Sequence, residues 1–317
     1  MAAVPNIMCA AAMSVVLTTA WLFDVCHGAQ AMAASTAHVT QVANGDFVRV
    51  GDCAEATAEN RDGIANIGFI VGRDAVAVVD PGGSLADGES LRAAIRGITN
   101  LPIRYVIMTH AHPDHVFGGA AFKQDHPAFV GHWRLPAALA SRAAYDHARL
   151  AAVLGNTATG WPVVPTMLVR DTTTLDLGSR QLTLQAHKAA HTDTDLTIVD
   201  QTTATLWAGD LLFVGRVPAL DGSLAGWIAE LTAMRSLPAS RAVPGHGPAE
   251  VPWPGGAADE LRYFLTLRHD VRADIAAGRD IPEAAATAAS NERSKWALFA
   301  AYNGRNATEA YRELQWE

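Results

Sequence analysis

From His38 onward, short runs of β-branched and aromatic residues alternate with longer stretches of helical pattern. Runs rich in Val, Ile and Phe that are bounded by Gly and Asp predict strands at 47–50, 64–71, 75–79 and 104–108. A partial apolar stripe with a 3.6-residue period predicts a helix over 84–98, and helical patterns recur at 117–124 and 135–150. The first half of the chain therefore indicates a mixture of strands and helices.

A second β-rich block follows a connection rich in Pro, Gly and Thr at 155–166. Its predicted strands are 167–170, 181–186, 196–199, 203–208 and a short run at 242–244, with a helix over 224–237. After a Trp-Pro-Gly-Gly break, the tail at 258–317 has a helical pattern, and we interpret its aromatic residues as packing residues. Two β-rich halves with interspersed helices predict one α/β body with a helical C-terminal addition.

The start of the chain resembles an export signal. Residues 8–23 are almost wholly apolar, which is short for a bilayer span but suits a signal-peptide core. Asp24 ends the run, and Ala29-Gln30-Ala31 offers a small-x-small cleavage site. The n-region lacks Lys and Arg, so a later start codon or a disordered extension is the alternative. We expect a cleavable signal peptide over residues 1–31, export to the periplasm and no membrane span.

Composition narrows the class of protein further. Apolar residues make up 50% of the 317 positions and charged residues 18%, which supplies a buried core and excludes a disordered chain. With 24 basic and 32 acidic side chains the net charge is −8, so we expect no nucleic acid partner. If the signal is removed, Cys53 is the one cysteine left, and no intramolecular disulfide forms.

The densest chemical signal is the segment Thr109-His110-Ala111-His112-Pro113-Asp114-His115. In an extended segment His110 and His112 point to the same side, because side chains alternate with a period of two. They can therefore bind one metal ion, while Pro113 interrupts the strand and lets the following Asp and His reach a second position. The alternative, a surface histidine cluster without metal, explains this density poorly.

Three more candidate ligands follow predicted strands. His191 comes after the strand at 181–186, Asp210 after the one at 203–208, and His246 after 242–244. Each is flanked by small residues or turn formers, at the positions where α/β folds place their sites. Each alone is ordinary, but in this order after the histidine segment they form a specific set.

These residues, together with the Asp80-Pro81-Gly82 turn, resemble the motif set of the metallo-β-lactamase-fold hydrolases from about residue 47 to 246. The resemblance implies a four-layer αββα sandwich over residues 32–255, with 256–317 as a helical extension packed on it. It also implies two Zn²⁺ ions. The ligands it implies for one ion are His110, His112 and His191, and for the other Asp114, His115 and His246, with Asp210 bridging them. Asp80 would orient a ligand from behind, or it is a plain turn former before Pro81.

The chemistry of these side chains agrees with that assignment. Imidazole and carboxylate ligands suit Zn²⁺, and a dinuclear site supplies hydroxide near neutral pH for attack on a carbonyl or phosphorus centre. Asp114 is our candidate for orienting this nucleophile and moving its proton. Dinuclear β-lactamases have Cys or Ser where this chain has Asp210, which favours the branch of thioesterases, lactonases and phosphodiesterases and disfavours β-lactam hydrolysis.

Segments outside the ligands resemble one subfamily, the quinoprotein relay system zinc metallohydrolases, which are relatives of a sulfur-oxidation-associated hydrolase. These segments are 65–72, 211–213, 216–218, 220–224 and the C-terminal Glu-Leu-Gln-Trp-Glu. The resemblance implies a periplasmic protein that is associated with pyrroloquinoline-quinone (PQQ)-dependent dehydrogenases and acts on a small-molecule substrate. It leaves the substrate open.

Arg216 follows Asp210 closely, so we expect it to bind an anionic substrate group, with a loop salt bridge as the alternative. We interpret His132, His147 and His187 as structural or supporting residues, and His126 and His269 as surface residues. Two other functions stay open: a mononuclear iron persulfide dioxygenase, which uses the same fold, and a non-catalytic partner in a quinoprotein relay. The dioxygenase branch often leaves the second metal site incomplete, so the complete second ligand set here favours the hydrolase.

Overall fold

The computed structural model describes residues 1–2 and 37–317, so the expected signal peptide lies almost entirely outside the described residues. The chain divides into two units, residues 1–33 and residues 34–317, and the second is described below. Within the described residues, no helix is both long and apolar enough to cross a membrane.

Seven strands of the described chain form the first sheet, in sequential order. They are β1 (Thr40–Ala43), β2 (Asp46–Arg49), β3 (Ile67–Val71), β4 (Val76–Val79), β5 (Ile103–Met108), β6 (Ala128–His132) and β7 (Met167–Val169). Strands β1 to β4 pair antiparallel and β4 to β7 pair parallel. The prediction that 167–170 belongs to the second β-rich block is wrong, because β7 pairs with β6 at the edge of this sheet.

Six more strands of the described chain form the second sheet, in the order β13-β12-β11-β10-β9-β8. They are β8 (Thr172–Asp176), β9 (Gln181–Ala186), β10 (Leu196–Asp200), β11 (Thr205–Phe213), β12 (Arg241–His246) and β13 (Val251–Pro252). Neighbours are antiparallel except β11 and β12, which run parallel. Strands β11 and β12 extend beyond their predicted ends at 208 and 244, so Asp210 and His246 lie inside strands and not after them.

Helices cover the outer faces of the two sheets. They are α1 (Leu85–Ile98), α2 (Pro113–Val116), α3 (Leu135–Leu154), α4 (Asn156–Thr159), α5 (Leu224–Met234), α6 (Ala258–Ala276), α7 (Ile281–Thr287) and α8 (Phe299–Leu314). The segment Phe117–Asp125, predicted to be helical, is a 3₁₀ helix. In α1 the side chain of Ser84 caps the helix by accepting from the N–H of Asp87, as its position before the apolar stripe suggests.

Three clusters of buried side chains define the layers. One lies between the sheets and includes Ile70, Ile107, Leu184 and Trp207. A second packs the first sheet against α1 and α3, and a third packs the second sheet against α5, α6 and α8. Helix, sheet, sheet and helix therefore stack in four layers, which confirms the predicted α/β sandwich with a helical C-terminal part.

Candidate functional site

The predicted ligands meet at one edge of the sandwich. His110 and His112 follow β5, whose last three residues, Val106, Ile107 and Met108, are apolar and buried. Pro113 begins the short helix α2 and thereby turns Asp114 and His115 out of line with the strand. The remaining three come from the second sheet: His191 from the β9–β10 loop, Asp210 from β11 and His246 from the end of β12.

One group of potential ligand atoms comes from His110, His112, His191 and Asp210, all within 4.8 Å of one another. The Nδ1 atom of His112 lies 3.1 Å from Nε2 of His110 and 2.8 Å from Nε2 of His191. The Asp210 Oδ2 atom lies 3.3 Å from Nε2 of His191. The structure thus brings together the three histidines that were assigned to one ion.

A second group consists of Asp114, His115 and His246. The Asp114 Oδ2 atom lies 3.3 Å from Nε2 of His246 and 3.7 Å from Nε2 of His115. Asp210 also reaches this group, with Oδ1 3.0 Å from Nε2 of His115 and Oδ2 3.3 Å from Nε2 of His246. Asp210 therefore stands between the two groups, where its assignment as a bridging ligand places it.

The neighbouring strand leaves room for the Asp210 carboxylate because position 245 is glycine. A Cβ atom on Gly245 would clash with Oδ1 of Asp210. Strands β11 and β12 are neighbours, so a side chain at 245 would displace the carboxylate that lies between the two groups. Close packing of β11 against β12 therefore requires glycine at position 245, directly before His246.

All five imidazoles of the site are hydrogen-bonded from behind. Four of them have Nδ1 beside an oxygen: Thr109 Oγ1 for His110, Asp80 Oδ2 for His115, Ala219 O for His191 and Ile64 O for His246, at 2.7–3.0 Å. In His112 the two ring nitrogens exchange places: Nε2 lies 2.9 Å from Oδ2 of Asp221, and Nδ1 faces the other ligands. If each ring donates its outer N–H to that oxygen, the other nitrogen directs a lone pair into the site. This is the arrangement that metal-binding histidines adopt.

Two buried atoms of the site lack a hydrogen-bond partner, namely Nε2 of His115 and Oδ1 of Asp210. They lie 3.0 Å apart. When His115 donates from Nδ1 to Asp80, its Nε2 and the carboxylate oxygen present lone pairs to each other. A cation between or beside them removes that repulsion, so the residues present fit a metal ion.

Asp80 forms hydrogen bonds with two residues of the histidine segment, Thr109 and His115. Its carboxylate accepts from the backbone N–H of Thr109 at 2.7 Å and from the Thr109 hydroxyl at 2.8 Å, and it lies 2.8 Å from Nδ1 of His115. Asp80 is 1% exposed and has a φ of +55°, a left-handed conformation that is unusual for a residue other than glycine. Three hydrogen bonds thus hold the carboxylate behind His115 and keep the backbone of Asp80 in this strained conformation.

The pKa shifts divide the side chains of the site into neutral imidazoles and charged groups. Burial lowers the pKa of His191 to about 3, helped by His112, and burial likewise holds the pKa of His110 well below its usual value. Neutral imidazole is the form that binds a metal. Burial opposes the charge on Asp210 too, but the neighbouring histidines outweigh it and keep the pKa of Asp210 well below its usual value.

The pKa of His115 is shifted in the opposite direction, upward. Burial alone would lower its pKa, but the carboxylates of Asp210, Asp114 and Asp80 outweigh burial and raise the pKa of His115 well above its ordinary value. The carboxylates of this group therefore require a positive charge, which a proton or a metal ion can supply.

Arg216 lines the same cleft but is 5% exposed and contacts protein atoms. Its Nη1 lies 3.0 Å from Nδ1 of His246, and its Nη2 donates to the hydroxyl of Tyr302 at 3.1 Å. The guanidinium also lies 5.4 Å from the centre of the Tyr302 ring. Tyr302 was interpreted as a packing residue of the tail, and it in fact reaches the site. The role of Arg216 in substrate binding stays a prediction.

Sequence reasoning did not identify Asp221 as the residue that orients His112. Besides His112, its carboxylate contacts Arg142, whose Nη1 lies 3.2 Å away. Arg142 in turn donates from Nε to Asp146 at 2.8 Å within α3. The one signal in the sequence was the position of Asp221 in the loop shortly after Asp210.

The other histidines of the described residues lie outside both groups. His187 is buried between Glu230 and Thr197, and His147 stacks on Trp161. His132 is buried, with Nδ1 accepting from the N–H of Arg134, while His126 and His269 are exposed.

The cleft above the two groups has a volume of about 330 Å³. Its floor includes Asp114, Asp210 and His246. Helix α3 contributes Arg142, Tyr145, Asp146 and Arg149 to its walls, and α8 contributes Tyr302, Arg305 and Asn306. The C-terminal helical part therefore forms one wall of the site.

The comparisons with known proteins agree with this geometry. A family model described as the metallo-beta-lactamase superfamily matches residues 60–246, which hold every ligand candidate. A metallo-beta-lactamase from Pontibacter korlensis is similar in structure, with a TM-score of 0.58, 17% identity, and coverage of 72% of this chain and 98% of that one. TMB-1 gives a TM-score of 0.54 at 16% identity, over 72% and 95% of the two chains.

The stereoselective inverting sec-alkylsulfatase Pisa1 from Pseudomonas sp. gives a TM-score of 0.63 at 16% identity. The alignment covers 89% of this chain and 51% of the sulfatase, so this chain corresponds to about half of that protein. No curated protein matches. Given the match over more than half of the sequence, the four-layer sandwich and the His/Asp metal-binding groups, this chain belongs to the metallo-β-lactamase superfamily, most of whose members are hydrolases.

Proposed function

We propose that the protein is a dinuclear zinc-dependent hydrolase of esters, thioesters, lactones or similar bonds. The observation that carries the proposal is the pair of adjacent ligand groups that share Asp210, with all five imidazoles directed inward. Oxygen and nitrogen donors without a cysteine suit zinc. Metal ions held there would polarise the scissile group and lower the pKa of a water molecule.

Asp114 is the residue we propose for handling the proton of that water. It lines the cleft, and its Oδ2 lies between Nε2 of His246 and Nε2 of His115. Burial opposes its charge, but the neighbouring His115 and His246 outweigh burial and lower the pKa of Asp114, so the carboxylate is ionised and able to accept a hydrogen bond.

The test is metal content together with activity. We expect the purified chain to contain about two zinc ions and to lose ester or thioester hydrolysis on chelation, with recovery on adding zinc back. The Asp210→Asn variant keeps the size of the side chain but loses its charge, and we expect it to bind less metal and to lose at least 100-fold in kcat/KM. Arg235→Gln, far from the cleft on an exposed position, is the matched control.

Other outcomes favour other functions. One tightly bound iron with oxygen-dependent turnover of a persulfide would overturn the hydrolase in favour of the dioxygenase. Hydrolysis of β-lactams alone would assign the protein to the β-lactamase branch, which the presence of Asp210 disfavours. Folded protein that binds no metal at all would leave the non-catalytic partner.

We further propose that the protein is exported to the periplasm and works beside a PQQ-dependent dehydrogenase, acting on a small molecule. The resemblance of the first 31 residues to a signal peptide and of the segments outside the ligands to the quinoprotein relay subfamily supports this proposal. Cell fractionation tests the location, and a periplasmic chain should begin near Met32. A cytoplasmic chain that retains its N terminus would contradict it.

A further inference from the structure

Four arginines line the cleft above the ligand groups, and two of them are engaged by the protein. Arg142 pairs with Asp146 at 2.8 Å and with Asp221 at 3.2 Å. Arg216 is buried against His246 and Tyr302. The other two, Arg149 on α3 and Arg305 on α8, are exposed.

Two carboxylates of the cleft wall are engaged as well. Asp146 and Asp221 both hold Arg142. Glu55 lines the cleft beside Tyr302, and burial together with Glu55 raises the pKa of Tyr302 to about 12. Asp62 is 3% exposed. Burial raises the pKa of Asp62 well above its usual value, the charge of Arg149 acts in the opposite direction, and Oδ2 of Asp62 has no hydrogen-bond partner.

Arg149 and Arg305 form no ion pair within the described part of the chain, although Arg149 lies close enough to Asp62 for its charge to act on that carboxyl group. Among residues 37–317, no carboxylate oxygen comes within 4.0 Å of a guanidinium nitrogen of either side chain. The guanidinium of Arg305 lies 5.9 Å from the centre of the Tyr302 ring. Two exposed guanidinium groups that line one cleft and form no ion pair favour the entry of an anion.

We propose that Arg149 and Arg305 bind an oxyanion group of the substrate, such as a carboxylate, while the scissile bond lies over the ligand groups. This inference rests on the proposed hydrolase function and names the class of its substrate. A guanidinium fork matches the two oxygens of a carboxylate, which makes arginine the side chain suited to this recognition. Both arginines lie at exposed positions of the cleft wall, unlike the buried Arg216, whose role in substrate binding stays a separate prediction.

A matched pair of esters tests the proposal in the zinc-loaded enzyme. The 4-nitrophenyl monoester of glutaric acid carries a terminal carboxylate, and its methyl ester does not. We expect the enzyme to prefer the charged ester in kcat/KM. The variants Arg149→Gln and Arg305→Gln should each reduce that preference about tenfold, mainly through KM, because each removes a charged hydrogen bond. Arg235→Gln, exposed and outside the cleft, should leave both esters unaffected.

A binding measurement separates this inference from the hydrolase function. Calorimetric titration with glutarate needs no turnover, and we expect each cleft variant to bind it about tenfold more weakly than wild type and Arg235→Gln. If no ester is hydrolysed but glutarate binding depends on Arg149 and Arg305, the oxyanion site stands and the hydrolase proposal fails. If both esters are hydrolysed equally well in all variants, or glutarate binding is the same in all, the oxyanion site is overturned whether or not hydrolysis occurs.

Discussion

At the scale of single residues, the site depends on the acceptors behind the imidazoles as much as on the imidazoles themselves. Four of the five acceptors are buried or belong to the backbone, whereas the Asp221 side chain is 42% exposed. Asp221 can therefore be changed with little disturbance of the core. It fixes the ring of His112 so that Nδ1, and not Nε2, faces the other ligands.

We predict that Asp221→Ala weakens zinc binding by about 10–100-fold, the usual effect of removing an acceptor behind a ligand. Asp221→Asn should lose less, because its amide oxygen can still accept from Nε2 of His112. Competition with a chromogenic chelator measures the affinity. Asp171→Ala, at an exposed position away from the cleft, is the control. Equal affinities in Asp221→Ala and the control would contradict the role of Asp221.

The ligand candidates could be proposed from sequence because histidine and aspartate are rare in such density and stand beside turn formers. The groups that hydrogen-bond to these ligands could not be proposed from the sequence. The contact of Asp221 with His112 joins residues 109 positions apart, and the acceptor of His191 is the backbone oxygen of Ala219. The buried contacts of Arg216 were equally hidden, because they involve Tyr302 from the far C-terminal helix.

At the scale of elements, strand positions were easier to predict than strand ends. The prediction ended β11 before Gly209-Asp210, since such a pair usually marks a turn. The strand continues to Phe213 and is buried throughout, because parallel pairing with β12 supplies partners beyond the glycine. Strands β1, β6, β8 and β13 were missed: none is longer than five residues, and β8 is threonine-rich.

Another element-scale contact joins the C-terminal helix to the start of α5. The carboxylate of Glu313 in α8 accepts from the N–H of Leu224 at 2.7 Å, from the N–H of Ala225 at 3.2 Å and from the hydroxyl of Ser223 at 2.8 Å. These donors belong to the first turn of α5, where N–H groups lack partners within the helix and where negative charge is favoured.

We predict that Glu313→Ala lowers the free energy of unfolding by about 2 kcal/mol, because several donors of α5 lose a charged acceptor. Urea unfolding of wild type and variant measures the difference. Glu309→Ala, one turn earlier on the same helix, is the matched control, since its pair with Arg312 is exposed and contributes little. A loss in Glu313→Ala no larger than in the control would show that the capping contact is unimportant.

At the scale of the whole molecule, the four-layer order came from the resemblance to a family and not from periodicity, which indicates elements but not their stacking. Periodicity also made the tail look like an addition. In the structure, Tyr263 and Phe264 of α6 share one core cluster with Leu212 of β11 and Trp227 of α5. The tail therefore completes the core behind the strand that bears Asp210.

Glu260 lies where this tail meets β11. It is fully buried, its Oε1 accepts from the N–H of Phe213 at 3.0 Å, and its Oε2 has no partner. Burial raises the pKa of Glu260 well above its usual value of 4.5, and the charge of Asp210 adds to that effect. The folded protein thus keeps a proton on Glu260 at pH values where the unfolded chain has released it.

A raised pKa in the folded state means that stability from Glu260 is fully present below pH 4.5 and declines as the pH rises toward the folded pKa. Glu260→Gln keeps an acceptor for Phe213 and removes the titration. We therefore predict that the stability of this variant relative to wild type increases with pH, by up to about 1.4 kcal/mol per pH unit. Urea unfolding at pH 6, 7 and 8 measures it, with the exposed Glu89→Gln as control. Parallel pH curves for wild type and Glu260→Gln would mean that Glu260 is already ionised in the folded protein.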